Sequence, residues 1–314
     1  MQGLVIRNTG SWYDVRTDDG QLFACKVKGN FRLRGIRSTN PVAVGDRVEI
    51  QPTMNDAFII DILPRRNYII RRASNLSRQS HIIAANVDLA ALVVTIAHPQ
   101  TSTTFIDRFL ATAEAYSVPA ALLFNKTDLY DDTQRNRMEE LISLYRHLDY
   151  VCLPLSAVTG ENLDALQDLL RGKVTLLSGN SGVGKSTLLN LLVPYAQAKT
   201  AALSAAHDQG QHTTTFSQMY SLPSVGEMQD AYIIDTPGIR GFGTIDFHRE
   251  EVSHYFPEIF RQGTQCRYHN CTHTHEPDCA VIRALHNSDI AESRYRSYLS
   301  MLEDEHETKY RQKL

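Results

Sequence analysis

The chain has 314 residues, 42% apolar and 21% charged, with a formal net charge of −3. This is the composition of a globular protein long enough for two or three domains, each with its own core. It excludes a disulfide framework, since Cys25 and Cys152 stand alone and Cys266, Cys271 and Cys279 cluster. Met1–Gly10 holds no leader pattern, and the most apolar run, Val87–Ala97, contains Asp88 and is too short to span a bilayer. A cytoplasmic protein with no membrane partner is expected.

Charge is uneven along the chain. Residues 1–72 carry twelve Lys and Arg against seven Asp and Glu, while the remainder carries 20 against 28. A basic module on an acidic chain points to a polyanion met at that end, or to a solvated basic face. Within residues 1–66, five short β-prone runs begin at Leu4, Trp12, Leu22, Val48 and Phe58. Gly, Asp and Asn turns separate them, as in a small β-barrel of the OB-fold type. The loop Lys26–Arg37 alternates basic with apolar residues. Phe31 can stack on an RNA base there, or simply pack. Pro64–Ser80 is polar and basic and reads as a linker.

From residue 73 to 244 strands alternate with helices, the pattern of a parallel α/β sheet. Strand-like Asp88–Ala97, Ala120–Phe124 and Val151–Leu155 are each followed by a helical segment. The second leads into Asn125, Lys126, Thr127 and Asp128, which read N-K-x-D. A carboxylate at the fourth position accepts from the N1–H and exocyclic amine of guanine and rejects adenine. Asn125 can bond the base edge, and the Lys126 stem can lie over the ring. The third leads into Ser156 and Ala157, where a small residue lets a backbone N–H approach guanine O6.

The strand Val174–Ser178 then runs into Gly179, Asn180, Ser181, Gly182, Val183, Gly184, Lys185 and Ser186, followed by helix-prone Thr187–Leu192. This is G-x-x-x-x-G-K-S between a strand and a helix, a phosphate-binding loop. Its N–H groups and that of Thr187 suit the α- and β-phosphates, Lys185 suits the β- and γ-phosphates, and Ser186 suits Mg²⁺. Downstream, Gly210–Thr215 reads G-Q-H-T-T-T, and Tyr232–Ile234 runs into Asp235-Thr236-Pro237-Gly238, which reads D-x-x-G. Asp235 is expected to hold Mg²⁺ through water and Gly238 N–H to meet a γ-phosphate. Thr214, or failing that Thr213, is expected to complete the Mg²⁺ shell. Ile239 stands where a water-orienting Gln is common, so His212 is the nearest polar candidate for catalysis.

Residues 245–314 carry C-x4-C-x-H-x5-C. Cys266, Cys271, His273 and Cys279 supply three thiolates and one imidazole, a closed tetrahedral Zn²⁺ set. His269 and His275 are competing nitrogen ligands. Cys279–Leu314 reads helical, and Arg294, Arg296, Lys309, Arg311 and Lys313 are positioned either for RNA or for solvent.

The base motifs at 125–128 and 156–157 precede the phosphate loop, a reversal of the common order. With G-Q-H-T-T-T, D-T-P-G-I-R, the leading β module and the trailing Cys/His cluster, the chain resembles the ribosome small subunit-dependent GTPase A family. That resemblance covers essentially the whole chain. It implies an N-terminal OB domain, a circularly permuted P-loop GTPase centre and a mainly helical C-terminal zinc domain. It further implies GTP hydrolysis stimulated by the small ribosomal subunit, a part in that subunit's late maturation, and contact with its rRNA. One structural Zn²⁺, Mg²⁺ with GTP or GDP, a catalytic His212 and a monomeric state are the matching expectations.

Overall fold

The computed structural model describes residues 1–28, 41–53, 56–72, 80–196, 218–222, 231–235 and 249–310. The N-terminal strands are β1 (Gln2–Asn8), β2 (Tyr13–Thr17), β3 (Leu22–Val27), β4 (Arg47–Pro52) and β5 (Ala57–Ile62). They pair in the order β1-β2-β3-β5-β4, and a further β1–β4 pairing closes the ring. β3 and β5 run parallel, and the other pairs around the ring are antiparallel. This is the OB-type barrel expected. Alternation along β2 and β5 turns Tyr13, Val15, Ala57 and Ile59 into its core.

Residues 64–80 are more than a linker. β6 (Tyr68–Arg72) pairs antiparallel with β7 (Ser80–Ala85) in a separate ribbon. The preceding arginines are structural. Arg65 Nε and Nη2 donate to Asp46 Oδ1 and Oδ2 at 2.6 and 2.7 Å, and Asp46 is fully buried. Arg66 Nη2 donates to Asp88 Oδ1 at 2.7 Å. Buried, bidentate pairing holds Arg65 in place, and Arg66, although exposed, is tied to one Asp88 oxygen, where composition alone reads solvated charge.

The central sheet uses β8 (Leu89–Val94), β9 (Ala120–Phe124), β10 (Val151–Pro154), β11 (Val174–Ser178), β12 (Gln218–Ser221) and β13 (Tyr232–Asp235). Their spatial order is β10-β9-β8-β11-β13-β12, all parallel except β12. β8 is buried at every position because both sheet faces are covered, which explains its unbroken apolar run. The helices are α1 (Thr103–Ala115), α2 (Asp132–His147), α3 (Leu163–Leu170) and α4 (Lys185–Leu192). A capping box between Asp131 and Gln134 starts α2 ahead of its apolar stripe. β1 pairs with β12 at Arg7 and Gln218, so barrel and sheet are continuous.

The C-terminal region forms α5 (Pro257–Gly263), α6 (Ala280–His286) and α7 (Glu292–Tyr310). The helical reading of 279–314 is thus interrupted at 287–291, where Ser288 adopts a left-handed φ of 64°. Val252, Phe256, Ile259, Val281 and Tyr298 pack with Ala111 of α1. The same face buries charge. Arg294 is 1% exposed and sits 4.6 Å over the Phe256 ring. Its guanidinium donates to both Glu258 oxygens, at 2.7 and 3.1 Å, and to Asp107 Oδ1 of α1 at 2.9 Å. Tyr145 OH donates to the same Asp107 oxygen at 2.9 Å. Arg294 is therefore an internal tie, not an RNA contact, whereas Arg296 is exposed and paired with Glu292. Among the described residues no helix is long and apolar enough to cross a membrane.

Removing one partner of a buried ion pair strands the other charge. Arg294→Met is expected to lower unfolding free energy by about 3–5 kcal/mol. Arg296→Met is expected to change it by less than about 1 kcal/mol. Denaturant unfolding followed by circular dichroism measures both.

Candidate functional site: a phosphate loop tied to a base pocket, and a Cys3His cluster

The C-terminal ends of β8, β9, β10, β11 and β13 bring the sequence motifs to one edge of the sheet. The phosphate loop leaves β11 and enters α4 through Gly184, at φ +101°. That conformation favours glycine, and a Cβ there would also collide with Asn125 Nδ2. Gly179, at φ +145°, would place a Cβ 2.7 Å from Val93 O. Lys185 Nζ folds back over the loop and donates to Gly179 O and Asn180 O, both at 2.7 Å. Asp235 ends β13 nearby. Burial lowers the Lys185 ammonium pKa, and the Asp235 charge opposes that shift. Burial likewise raises the Asp235 carboxyl, against the pull of Lys185. Ser186 and Thr187 lie in the first turn of α4, half-buried.

Asn125 is 1% exposed and joins three motifs. Its Nδ2 donates to Val183 O at 2.8 Å, and its Oδ1 accepts from Ala157 N at 3.0 Å. Half of its bonding capacity is therefore spent on the protein, although the sequence offers it to the base edge. Lys126, left-handed at φ 70°, donates from Nζ to Gly182 O at 2.7 Å and to His98 O. Burial lowers its pKa and Asp128 opposes the shift. Asp128 is exposed, and its Oδ1 accepts from the Ser156 hydroxyl at 2.6 Å. Ser156 Oγ in turn accepts from Val158 N and Thr159 N at 3.2 and 3.1 Å. An exposed carboxylate held by a buried hydroxyl can accept two donors from a guanine edge.

Three supporting residues escape motif reading. Thr127 Oγ1 donates to Glu161 Oε2 at 2.5 Å, and Arg135 Nη2 donates to Thr127 O at 3.1 Å. Tyr130 OH donates to Asn125 O at 2.5 Å and accepts from Ile96 N at 2.9 Å. Only the proximity of Tyr130 and Arg135 to the N-K-x-D run hints at them, and Glu161 gives no signal. Phe31, His212, Thr213, Thr214, Thr236, Gly238 and Ile239 lie outside the described residues.

The second cluster joins Cys266, Cys271, His273 and Cys279, whose ligand atoms all lie within 4.8 Å of one another. Cys266 Sγ is 3.8 Å from Cys279 Sγ, and His273 Nδ1 is 3.6 and 3.5 Å from these two sulfurs. Metal–sulfur bonds of about 2.3 Å give a tetrahedral S–S edge of about 3.8 Å, so the donor set fits a metal ion. Of the competing histidines, His269 is exposed, and exposed His275 has its Nδ1 2.8 Å from Thr274 Oγ1. Burial pushes the Cys271 thiol up to about 12 and lowers His273. A coordinated cation reverses the thiol shift, because the ligating form is the thiolate. Second contacts fix the loop: Tyr295 OH donates to His273 O at 2.7 Å and Tyr298 OH to Thr272 O at 2.8 Å. The Glu276 carboxylate accepts from the Thr272 hydroxyl and Thr272 N, both at 2.6 Å, and from Thr274 N at 2.9 Å. Burial raises its pKa, but these hydrogen bonds outweigh burial and hold it well below the ordinary range.

Residues 62–245 match the RsgA GTPase family, and residues 2–60 match the RsgA N-terminal domain. The chain is 62% identical over 312 residues, 99% of each chain, to a Bacteroides fragilis protein named small ribosomal subunit biogenesis GTPase RsgA. It is 59% identical over 314 residues, again 99% of each, to the protein of that name from Phocaeicola vulgatus. Among solved structures it resembles YjeQ from Thermotoga maritima, with a TM-score of 0.76 and 34% identity over 96% of this chain and 97% of that one. It also resembles YloQ, described as a circularly permuted GTPase, with a TM-score of 0.72 and 26% identity over 96% and 94% of the two chains. The late arrival of the phosphate-loop strand β11 in a sheet whose base motifs come first is that permutation, and the chain belongs to the RsgA GTPase family.

Proposed function

We propose that this protein hydrolyses GTP to GDP and phosphate, that the small ribosomal subunit and its rRNA are its partner, and that it assists late maturation of that subunit. The observation that carries the reading is the convergence of N-K-x-D, Ser156-Ala157, the phosphate loop and Asp235 on one sheet edge. Relatives matching the chain end to end are named for small ribosomal subunit biogenesis.

In this reading Asp128 accepts from guanine N1–H and the exocyclic amine, with Ser156 fixing its orientation. Ala157 brings backbone to guanine O6, and Lys126 spans the ring toward Gly182. The loop N–H groups from Asn180 to Thr187 surround the α- and β-phosphates. Lys185 exchanges the carbonyls of Gly179 and Asn180 for phosphate oxygens, a change from loop closure to ligand binding. Ser186, Thr214 and Asp235 would hold Mg²⁺, and an ion bound there would supply positive charge against the phosphate oxygens. Gly238 N–H meets the γ-phosphate. His212 orients or deprotonates the attacking water, a role that aliphatic Ile239 cannot fill. Intrinsic turnover is accordingly slow, and subunit binding completes the site. The metal of the Cys3His cluster is Zn²⁺, structural because four protein ligands leave no open position. The protein works in the cytoplasm as a monomer, with residues 1–66, 73–244 and 245–314 as its modules.

Turnover of GTP and of ATP, each with and without purified small subunits, tests this reading. GTP hydrolysis is expected to rise at least tenfold with subunits, in line with stimulated GTPases generally. ATP hydrolysis is expected not to rise. His212→Ala should abolish most of the stimulated rate while GDP binding persists, whereas an unchanged rate assigns catalysis elsewhere.

Chelation tests the metal. Folding free energy of a small module resides largely in its closed zinc site. Treatment with a strong chelator is expected to release about one zinc per chain by elemental analysis and to lower the melting temperature. Freshly purified protein without zinc contradicts the assignment.

A further inference from the structure

Two loops flank the base pocket, and one glutamate outside every motif bonds to both. The Asn125–Asp128 turn follows β9, and the loop from Ser156 to Asn162 follows β10. The Glu161 backbone carbonyl accepts from Ser156 N at 3.3 Å, and its side-chain Oε2 accepts from the Thr127 hydroxyl at 2.5 Å. Local backbone shape makes this double reach possible. Gly160 and Asn162, on either side of Glu161, are left-handed, at φ 80° and 58°. A Cβ on Gly160 would meet nothing within 4 Å, so glycine serves the turn there and not the packing. Asn162 Nδ2 anchors the far end of the loop on Pro154 O at 2.9 Å.

These bonds close a ring. Glu161 holds the Thr127 hydroxyl, and the chain joins Thr127 to Asp128. The Asp128 carboxylate accepts from Ser156 Oγ at 2.6 Å, and Ser156 N returns to Glu161 O. Thr127 and Ser156 are 2% and 1% exposed, so their hydroxyls need partners within the protein. Asp128 and Glu161 are exposed. Reading guanine demands more of Asp128 than its presence. One carboxylate oxygen must meet N1–H while the other meets the exocyclic amine, in the plane of the base. A single contact tolerates a rotated carboxylate, whereas two simultaneous contacts do not. Ser156 tethers one Asp128 oxygen, and Glu161 fixes the backbone from which Asp128 projects by holding the neighbouring Thr127 side chain.

We infer that Glu161 is a positioning residue for guanine selectivity, which through Thr127 and Ser156 holds the Asp128 carboxylate in the plane of the base. The inference rests on the proposed use of Asp128 as the guanine reader, and it names the residue that sets how sharply that reader discriminates. The exocyclic amine is the contact at stake. A tilted carboxylate can still follow N1–H, but it then loses the second donor.

Inosine diphosphate keeps N1–H and lacks the exocyclic amine, so the ratio of GDP to inosine diphosphate affinity reads the second bond alone. Competition against a fluorescent GDP analogue on the full-length protein measures it. The wild type is expected to favour GDP by roughly tenfold or more, the worth of one hydrogen bond to a charged group. Glu161→Ala is expected to cut that ratio roughly fivefold, mainly by weakening GDP. Truncating an exposed side chain leaves no cavity, so the variant stays folded. Thr127→Val, which keeps the shape and removes the hydroxyl, is expected to match it, and the double variant to lose nothing further. Glu161→Gln keeps an acceptor oxygen and is expected to hold the ratio near that of the wild type. An unchanged ratio in Glu161→Ala overturns the inference. So does equal weakening of both nucleotides, which marks a general loosening of the loop. Additive losses in the double variant, or a Gln variant as impaired as Ala, also overturn it, because the Thr127 bond is then not the route. A wild type without preference for GDP over inosine diphosphate sinks the guanine reading itself and this inference with it, an outcome read before any variant is made.

Discussion

One buried amide holds the nucleotide pocket together. Asn125 reaches Val183, 58 residues downstream, and Ala157, 32 residues downstream, with its two polar atoms. In a permuted chain the base motifs and phosphate loop are not neighbours along the backbone, so side-chain bonding must fix their spacing. Leaving either partner unbonded would strand a buried backbone group at about 1–3 kcal/mol. The same contact explains Gly184, whose missing side chain makes room for Asn125 Nδ2. Around this tie, Tyr130 and Arg135 hold the N-K-x-D backbone, and Glu161 holds the Thr127 hydroxyl.

The pocket and the C-terminal module share α1. The segment before that helix places His98 O on Lys126 Nζ, and Pro99 packs close to Gly182 of the phosphate loop. About one turn into the helix, Asp107 and Arg108 bind Arg294 and Ser300 of α7. A rigid helix therefore connects a residue pair at the phosphate loop with the scaffold of the Cys3His cluster. Buried charge makes this joint geometrically exacting, since Arg294 must satisfy Asp107 and Glu258 at once.

Much of this was legible in the sequence because the relevant signals are local. The five barrel strands follow from apolar alternation between turn residues. The phosphate loop and metal cluster follow from spacing, since their ligands lie within a few residues of one another. Long-range uses of polar residues were not legible. Arg65 and Arg66 look like linker charge until Asp46 and Asp88 are placed beside them. Arg294 looks like a surface cation because its partners are 36 and 187 residues away. Asn125 was found as a motif residue, but its structural bonds depend on the packing of segments that sequence order separates. The break between α6 and α7 was missed because apolar spacing continues across it, while Ser288 turns the backbone left-handed.

The central claim is that these separated segments form one pocket selective for guanine, with Asp128 as the reader of the base. Calorimetric binding of GDP, ADP and xanthosine diphosphate to the wild type and to Asp128→Asn tests it most directly. The account predicts that the wild type prefers GDP, and that the variant loses GDP at least tenfold while gaining xanthosine diphosphate, whose C2 carbonyl accepts from the new amide. Equal binding of ADP and GDP by the wild type, or an unaltered base preference in Asp128→Asn, would contradict it.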